Sequence, residues 1–101
     1  MRPEAYASTE DGGALELFWS SNDAASISAP RLREAARDAG AVRQRLEQGA
    51  LAAPADLTIA FIQPMGSMGL NIGFSDGHDR AVYPWDYLRA LSRAEAPSND
   101  N

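Results

Sequence analysis

The sequence predicts an α+β domain: two strand–turn–strand–helix units with one additional strand, antiparallel sheets packed with helices. Three observations carry this. Short segments alternate apolar and polar residues, most clearly Met68, Leu70, Ile72 and Phe74 against Ser67, Gly69, Asn71 and Gly73. Two other segments place apolar residues at helical spacing, each with a proline at or before its first turn (Pro30 and Pro84). Finally, the halves resemble each other: Leu15-x-Leu-x-Trp19-Ser20 returns as Leu70-x-Ile-x-Phe74-Ser75 at an offset of 55 residues. One inserted residue later, Leu32-Arg33 is matched by Leu88-Arg89, and Arg37 by Arg93.

Each element has a local reason. Leu15, Leu17 and Trp19 alternate as in a half-buried strand. Ser20-Ser21-Asn22-Asp23 supplies turn chemistry, and Ala24 to Ser28 returns as a second strand. Ser28 is placed to cap a helix from about Ala29, with an apolar stripe of Leu32, Ala35, Ala36, Ala39, Val42 and Leu46. Gly40 weakens its middle and Gly49 is a reasonable stop. Leu57, Ile59 and Phe61 make the additional strand, and Gln63-Pro64-Met65-Gly66 turns the chain. Ser75-Asp76-Gly77-His78 is a hairpin signal, Arg80 to Tyr83 returns, and Trp85, Leu88 and Leu91 mark a last helix. The 101 residues read as one domain, with 1–12 and 96–101 as flexible ends.

Composition removes whole classes of chemistry. Without cysteine there is no disulfide framework, thiolate zinc site or cysteine nucleophile. With a single histidine, the two-histidine, one-carboxylate iron site of non-haem oxygenases cannot form within this sequence. A net charge of −5 disfavours nucleic acid as a partner. All nine basic residues are arginine, and five of them fall in residues 31–47, a weakly basic stretch on an acidic body. No apolar stretch suggests a signal peptide or a membrane span, so the expected location is the cytoplasm.

The segment from Pro64 through Ser75-Asp76-Gly77-His78, continuing to Tyr83-Pro84-Trp85-Asp86-Tyr87-Leu88-Arg89, resembles the gamma-butyrobetaine hydroxylase N-terminal-like domain family. The first half agrees through Leu15 to Ser20 and Leu32-Arg33. The resemblance implies a domain that occurs alone, at the N-terminus of carnitine-pathway oxygenases, or attached to iron–sulfur-carrier ATPases. In the oxygenases it implies a structural zinc held by three cysteines after the first Leu-Arg and by the histidine of Asp-Gly-His. Carried onto this sequence, those cysteine positions are Ala36, Asp38 and Ala41, and only His78 is retained. Two potential ligands, Asp38 and His78, cannot close a tetrahedral site. Alanine packing through Ala36, Ala39 and Val42 is the expected substitute for the metal.

The motif residues Ser75, Asp76, Gly77, His78, Tyr83, Trp85, Leu88 and Arg89 are the candidate binding positions. Serine, aspartate and histidine adjacent in sequence are not a triad, whose members converge from separate segments, so a turn is the better explanation. His78 has no placed nucleophile or orienting group to serve as a base, and hydrogen bonding within the turn or to the N-terminus of a helix is the preferred role. The glycines of the best strand match no phosphate-binding pattern and read as close-packing positions. The expected function is a non-catalytic accessory module with a protein partner. The resemblance links that partner to metal or iron–sulfur protein maturation, or to an oxygenase. No cofactor is expected, and self-association through a strand edge is open. The alternative is a metal-ion-binding domain centred on His78 with Asp38, Asp76 or Asp79.

Overall fold

Apolar alternation and capping build the same unit twice. The computed structural model describes residues 2–37, 42, 43, 46 and 53–95. Strands β1 (Ala5–Ser8), β2 (Ala14–Ser20) and β3 (Asp23–Ser28) form an antiparallel sheet in the order β1-β2-β3, followed by helix α1 (Ala29–Glu34). Strands β4 (Ile59–Met65), β5 (Gly69–Phe74) and β6 (Ala81–Pro84) form a second, in the order β4-β5-β6, followed by helix α2 (Trp85–Glu95). The fold is therefore α+β, as the sequence predicts, and among the described residues each half shows three strands followed by a helix.

One core serves both halves. The largest fully buried side chains are Leu15, Leu17, Ile27 and Leu32 from the first half and Leu70, Ile72, Tyr83 and Leu88 from the second. They belong to a single contiguous cluster. Removing each such side chain from water is worth about 1.5–3 kcal/mol, so neither half retains its main driving force without the other. Helix α2 packs on β3 as well as on β6, crossing from its own half to the first. The β1–β2 turn adds backbone ties: the Gly13 carbonyl accepts from Ala29 N–H at 2.8 Å and the Gly12 carbonyl from Ile59 N–H at 2.7 Å. Gly12 sits at φ +74°, and a Cβ there would lie 3.0 Å from the Ile59 carbonyl oxygen, so glycine is required by both conformation and space.

Four expectations are corrected. The N-terminal residues contribute a paired edge strand, β1, whose Tyr6 packs against the core cluster. Strand β4 runs through Pro64 rather than turning there, which an edge strand tolerates because a proline's missing N–H can face outward. A register shift between Ile59 and Phe61 breaks the expected alternation, so Ile59 stays buried and Phe61 faces outward. Lastly, α1 ends at Glu34, and of the predicted stripe Leu32 and Ala36 are buried while Val42 and Leu46 are exposed. The alanine–valine packing offered as a substitute for metal therefore does not extend to Val42. Ala39, Gly40, Gly49 and the tail 96–101 lie outside the described residues.

Candidate functional site

The two Leu-Arg pairs lie on the two helices, and each arginine reaches into the other half. On α1, Leu32 is fully buried and Arg33 is 5% exposed. The Arg33 Nε donates to Asp76 Oδ2 at 2.9 Å, in the turn between β5 and β6. On α2, Leu88 is fully buried, and Arg89 Nη2 donates to Asp23 Oδ2 at 2.6 Å, at the start of β3 in the β2–β3 hairpin. The arrangement is reciprocal: each helix is pinned to the opposite hairpin. Arg89 also lies 5.0 Å over the Trp19 ring.

The Ser75–His78 turn is shaped for this role. The Gly77 N–H donates to the Phe74 carbonyl at 3.1 Å and the Phe74 N–H to the His78 carbonyl at 2.8 Å. Gly77 takes φ +91°, and among the described residues no non-glycine has positive φ. This is a three-residue hairpin loop closed by a left-handed glycine, rather than the two-residue turn that Asp-Gly alone suggests. Asp76 thereby keeps both oxygens free for partners, Oδ1 accepting from His78 N–H at 3.0 Å and Oδ2 from Arg33. Burial pushes the Asp76 carboxyl up, but the His78 amide and the Arg33 guanidinium outweigh it and hold the carboxyl below the ordinary range. Asp23 is held low chiefly by its bond to Arg89. Ser75 ties the turn to the start of β4: its Oγ accepts from Thr58 N–H at 3.0 Å, and its N–H donates to the Thr58 carbonyl at 2.9 Å.

Tyr83 and Trp85 are structural in the same way. The fully buried Tyr83 donates its hydroxyl to the Leu32 carbonyl at 2.5 Å, and Tyr87 donates to the Ala35 carbonyl at 2.5 Å. These hydroxyls donate to carbonyls at the C-terminal end of α1 and just beyond it, where intrahelical donors run out. Trp85 Nε1 donates to the Ser67 carbonyl at 2.9 Å, and its ring lies 5.7 Å from that of Tyr6. The structure thus brings Asp76, Gly77, His78, Tyr83 and Leu88 to the junction of the halves, with Arg89 at the matching junction. Arg33, Asp23 and Tyr87 complete these junctions without being among the predicted site residues. The internal repeat pointed to the two arginines, because it aligns Arg33 with Arg89.

The family's zinc does not fit this arrangement. Ala36, at the first cysteine position, is fully buried and offers a methyl group where a ligand would be. Asp38 and Ala41 lie outside the described residues. Among the described residues no three histidine, aspartate or glutamate side chains cluster as metal ligands, and Asp76 is already bonded to Arg33 and His78.

What the motif leaves open lies on the other side of the second sheet. Register pairs Met65 with Gly69 and Pro84, Gln63 with Asn71 and Val82, and Phe61 with Gly73 on its outer face. Phe61 covers Gly73: a Cβ there would meet its ring at 2.1 Å. Beside it, Met65, Met68, Val82 and Pro84 line an apolar groove, with Met68 74% exposed. Val82 and Pro84 continue into a second depression bordered by Arg37 and Arg80.

The model of the gamma-butyrobetaine hydroxylase-like, N-terminal family matches residues 7–89. The chain belongs to this family. The match spans both hairpins and both Leu-Arg pairs, so the reciprocal contacts lie inside the gamma-butyrobetaine hydroxylase-like unit. The fold is similar to a crystal structure of a protein of unknown function from Acidithiobacillus ferrooxidans assigned to the DUF971 family. That similarity has a TM-score of 0.70 and 18% identity over 90% of this chain and 92% of the other. Two solution NMR structures are also similar. One has a TM-score of 0.66 and 24% identity over 91% of this chain and 73% of that one. The other has a TM-score of 0.68 and 20% identity over 94% and 71%. At these identities the likeness concerns the fold. No curated protein matches the chain. Among the described residues, no helix is long and apolar enough to cross a membrane.

Proposed function

We propose that this gamma-butyrobetaine hydroxylase-like domain is a non-catalytic binding module that presents the outer face of β4-β5-β6 to a protein partner. The observation that carries this is a division of labour. The motif side chains Asp76, Tyr83 and Arg89 are spent on contacts between the halves, and Ser75 and Trp85 on contacts within the second, whereas Met65, Met68 and Val82 stand in solvent on one continuous face. Exposed apolar side chains gathered on one face, unlike singly scattered ones, mark interaction surfaces. Methionines adapt their shape to a partner at little cost. By the family resemblance, that partner belongs to metal or iron–sulfur protein maturation, or is an oxygenase supplied as a separate chain.

The reading is tested by placing a photo-crosslinking phenylalanine analogue at Val82 and, separately, at the exposed turn residue Ser21, in the native host. A discrete adduct from position 82 that is absent from position 21 is expected. Equal, diffuse labelling from both positions would end the proposal. The metal-binding alternative centred on His78 is the weaker reading, because Asp76 is engaged by Arg33 and the His78 amide and, among the described residues, no three histidine, aspartate or glutamate side chains cluster.

A further inference from the structure

We infer that the groove on the outer face of β4-β5-β6 takes an apolar segment of another protein that carries carboxylates at one end. The inference rests on the binding-module reading and adds the chemistry of the partner. The apolar part of the site is Met65, Met68, Val82 and Pro84, and its floor is backbone: a Cβ on Gly69 would lie 2.2 Å from the Tyr83 carbonyl oxygen. This floor leaves the groove walls to the flexible methionines and to Val82, which is 45% exposed.

The charged part follows directly along β6. Val82 and Pro84 form the common wall between the apolar groove and the depression that holds Arg37 and Arg80. Both arginines are exposed, and among the described residues neither has a carboxylate partner. Arg37 is held in place by stacking 3.5 Å over the Tyr87 ring, so its charge is positioned rather than free to wander. The chain carries a net charge of −5, so two cations with no carboxylate partner among the described residues, at one end of its apolar groove, are a local reversal of sign. Carboxylates on the incoming segment complement them and fix its direction. A second copy of this chain is the weaker occupant. Face-to-face pairing of two such surfaces brings an overall like charge together and leaves the arginines without acidic partners in the groove.

The test is a selection from a displayed library of random twelve-residue peptides against the purified domain, with binding of the enriched synthetic peptides measured by fluorescence anisotropy. Enriched sequences should combine apolar residues with a terminal cluster of Asp or Glu. Their affinity should fall about thirtyfold or more in Val82→Asp, which sets a carboxylate in the apolar wall. It should fall about fivefold in Arg80→Glu and weaken as salt is added, because the rim charges are exposed. Met68→Asp, at the most exposed of these positions, repeats the first test should Val82→Asp fail to fold. Groove-dependent binders that lack acids, or that ignore Arg80→Glu, would overturn the charge assignment and leave the binding module standing. Binders indifferent to Val82→Asp and Met68→Asp would overturn both. A wild-type dimer in sedimentation, abolished by Val82→Asp, would assign the groove to a second copy and overturn the proposal.

Discussion

Replacing Asp76 by alanine removes an acceptor of a guanidinium that is almost wholly out of water. The Arg33 side chain is 6% exposed and that of Asp76 34%. Breaking a fully buried pair by deleting one partner costs about 3–5 kcal/mol, and an exposed pair about 0–1 kcal/mol. The half-open turn at Asp76 lets some water reach Arg33, and the His78 amide loses its acceptor as well. A loss of about 2–3 kcal/mol follows, equivalent to a drop in Tm of about 10–20 °C for a domain of this size. Arg33→Met keeps an apolar stem and leaves the more accessible aspartate bonded to His78, so it should cost about 1–2 kcal/mol. In the double variant no charge is left buried, and its cost should undershoot the sum by about 1–2 kcal/mol. Urea unfolding at neutral pH measures all three, with a constant m-value as the condition for comparing them. An Asp76→Ala loss below about 0.5 kcal/mol, or strict additivity, would refute the claim that this pair locks α1 to the second hairpin.

Other predictions follow from the same contacts. Asp23→Ala, at a pair whose side chains are 17% and 40% exposed, should cost clearly less than Asp76→Ala by the same assay, because solvent screens the exposed pair. The Asp76 carboxyl is held below its ordinary range when folded. Its stabilising contribution is therefore complete above its unfolded pKa near about 4 and lost as pH falls through the lower folded value. The gap in stability between wild type and Asp76→Asn should shrink as pH falls below the ordinary carboxylate range, and a gap unchanged by acidification would contradict the assignment. Gly69→Ala meets rigid backbone at 2.2 Å, whereas Gly73→Ala meets the Phe61 ring, which is 43% exposed and free to swing away. Thermal melts should show a cost of about 1–3 kcal/mol or more for the first and a clearly smaller one for the second.

The strands that bury one face were legible because burial writes a period of two into the sequence. Leu15, Leu17 and Trp19, and again Leu70, Ile72 and Phe74, are buried as their alternation implies. Ser28 accepts from Arg31 N–H at 3.3 Å, so the start of α1 was legible from its cap. The end of α1 was not. Tyr83 and Tyr87, about fifty residues downstream, supply donors to its last carbonyls, and no local signal encodes that. Strand β1 was missed because only Tyr6 of its four residues leans on the core. The repeat contained the answer: shifting β4 back by the offset of 55 residues lands on residues 4–10, where β1 lies. At the site, turn chemistry identified the Asp76-Gly77 hairpin but not its partner, since Arg33 lies 43 positions away. The groove was obscured by the register shift before Phe61, which exchanges the faces of β4.

The central claim is that Asp76-Gly77-His78 locks the two halves together and does not hold an ion. Elemental mass spectrometry of the untagged protein purified from its host, beside a His78→Ala variant, tests it most directly. No stoichiometric metal is expected in either protein, and strong chelators should leave the melting curves unchanged. About one ion per chain in the wild type, lost in His78→Ala and to chelators together with stability, would contradict it.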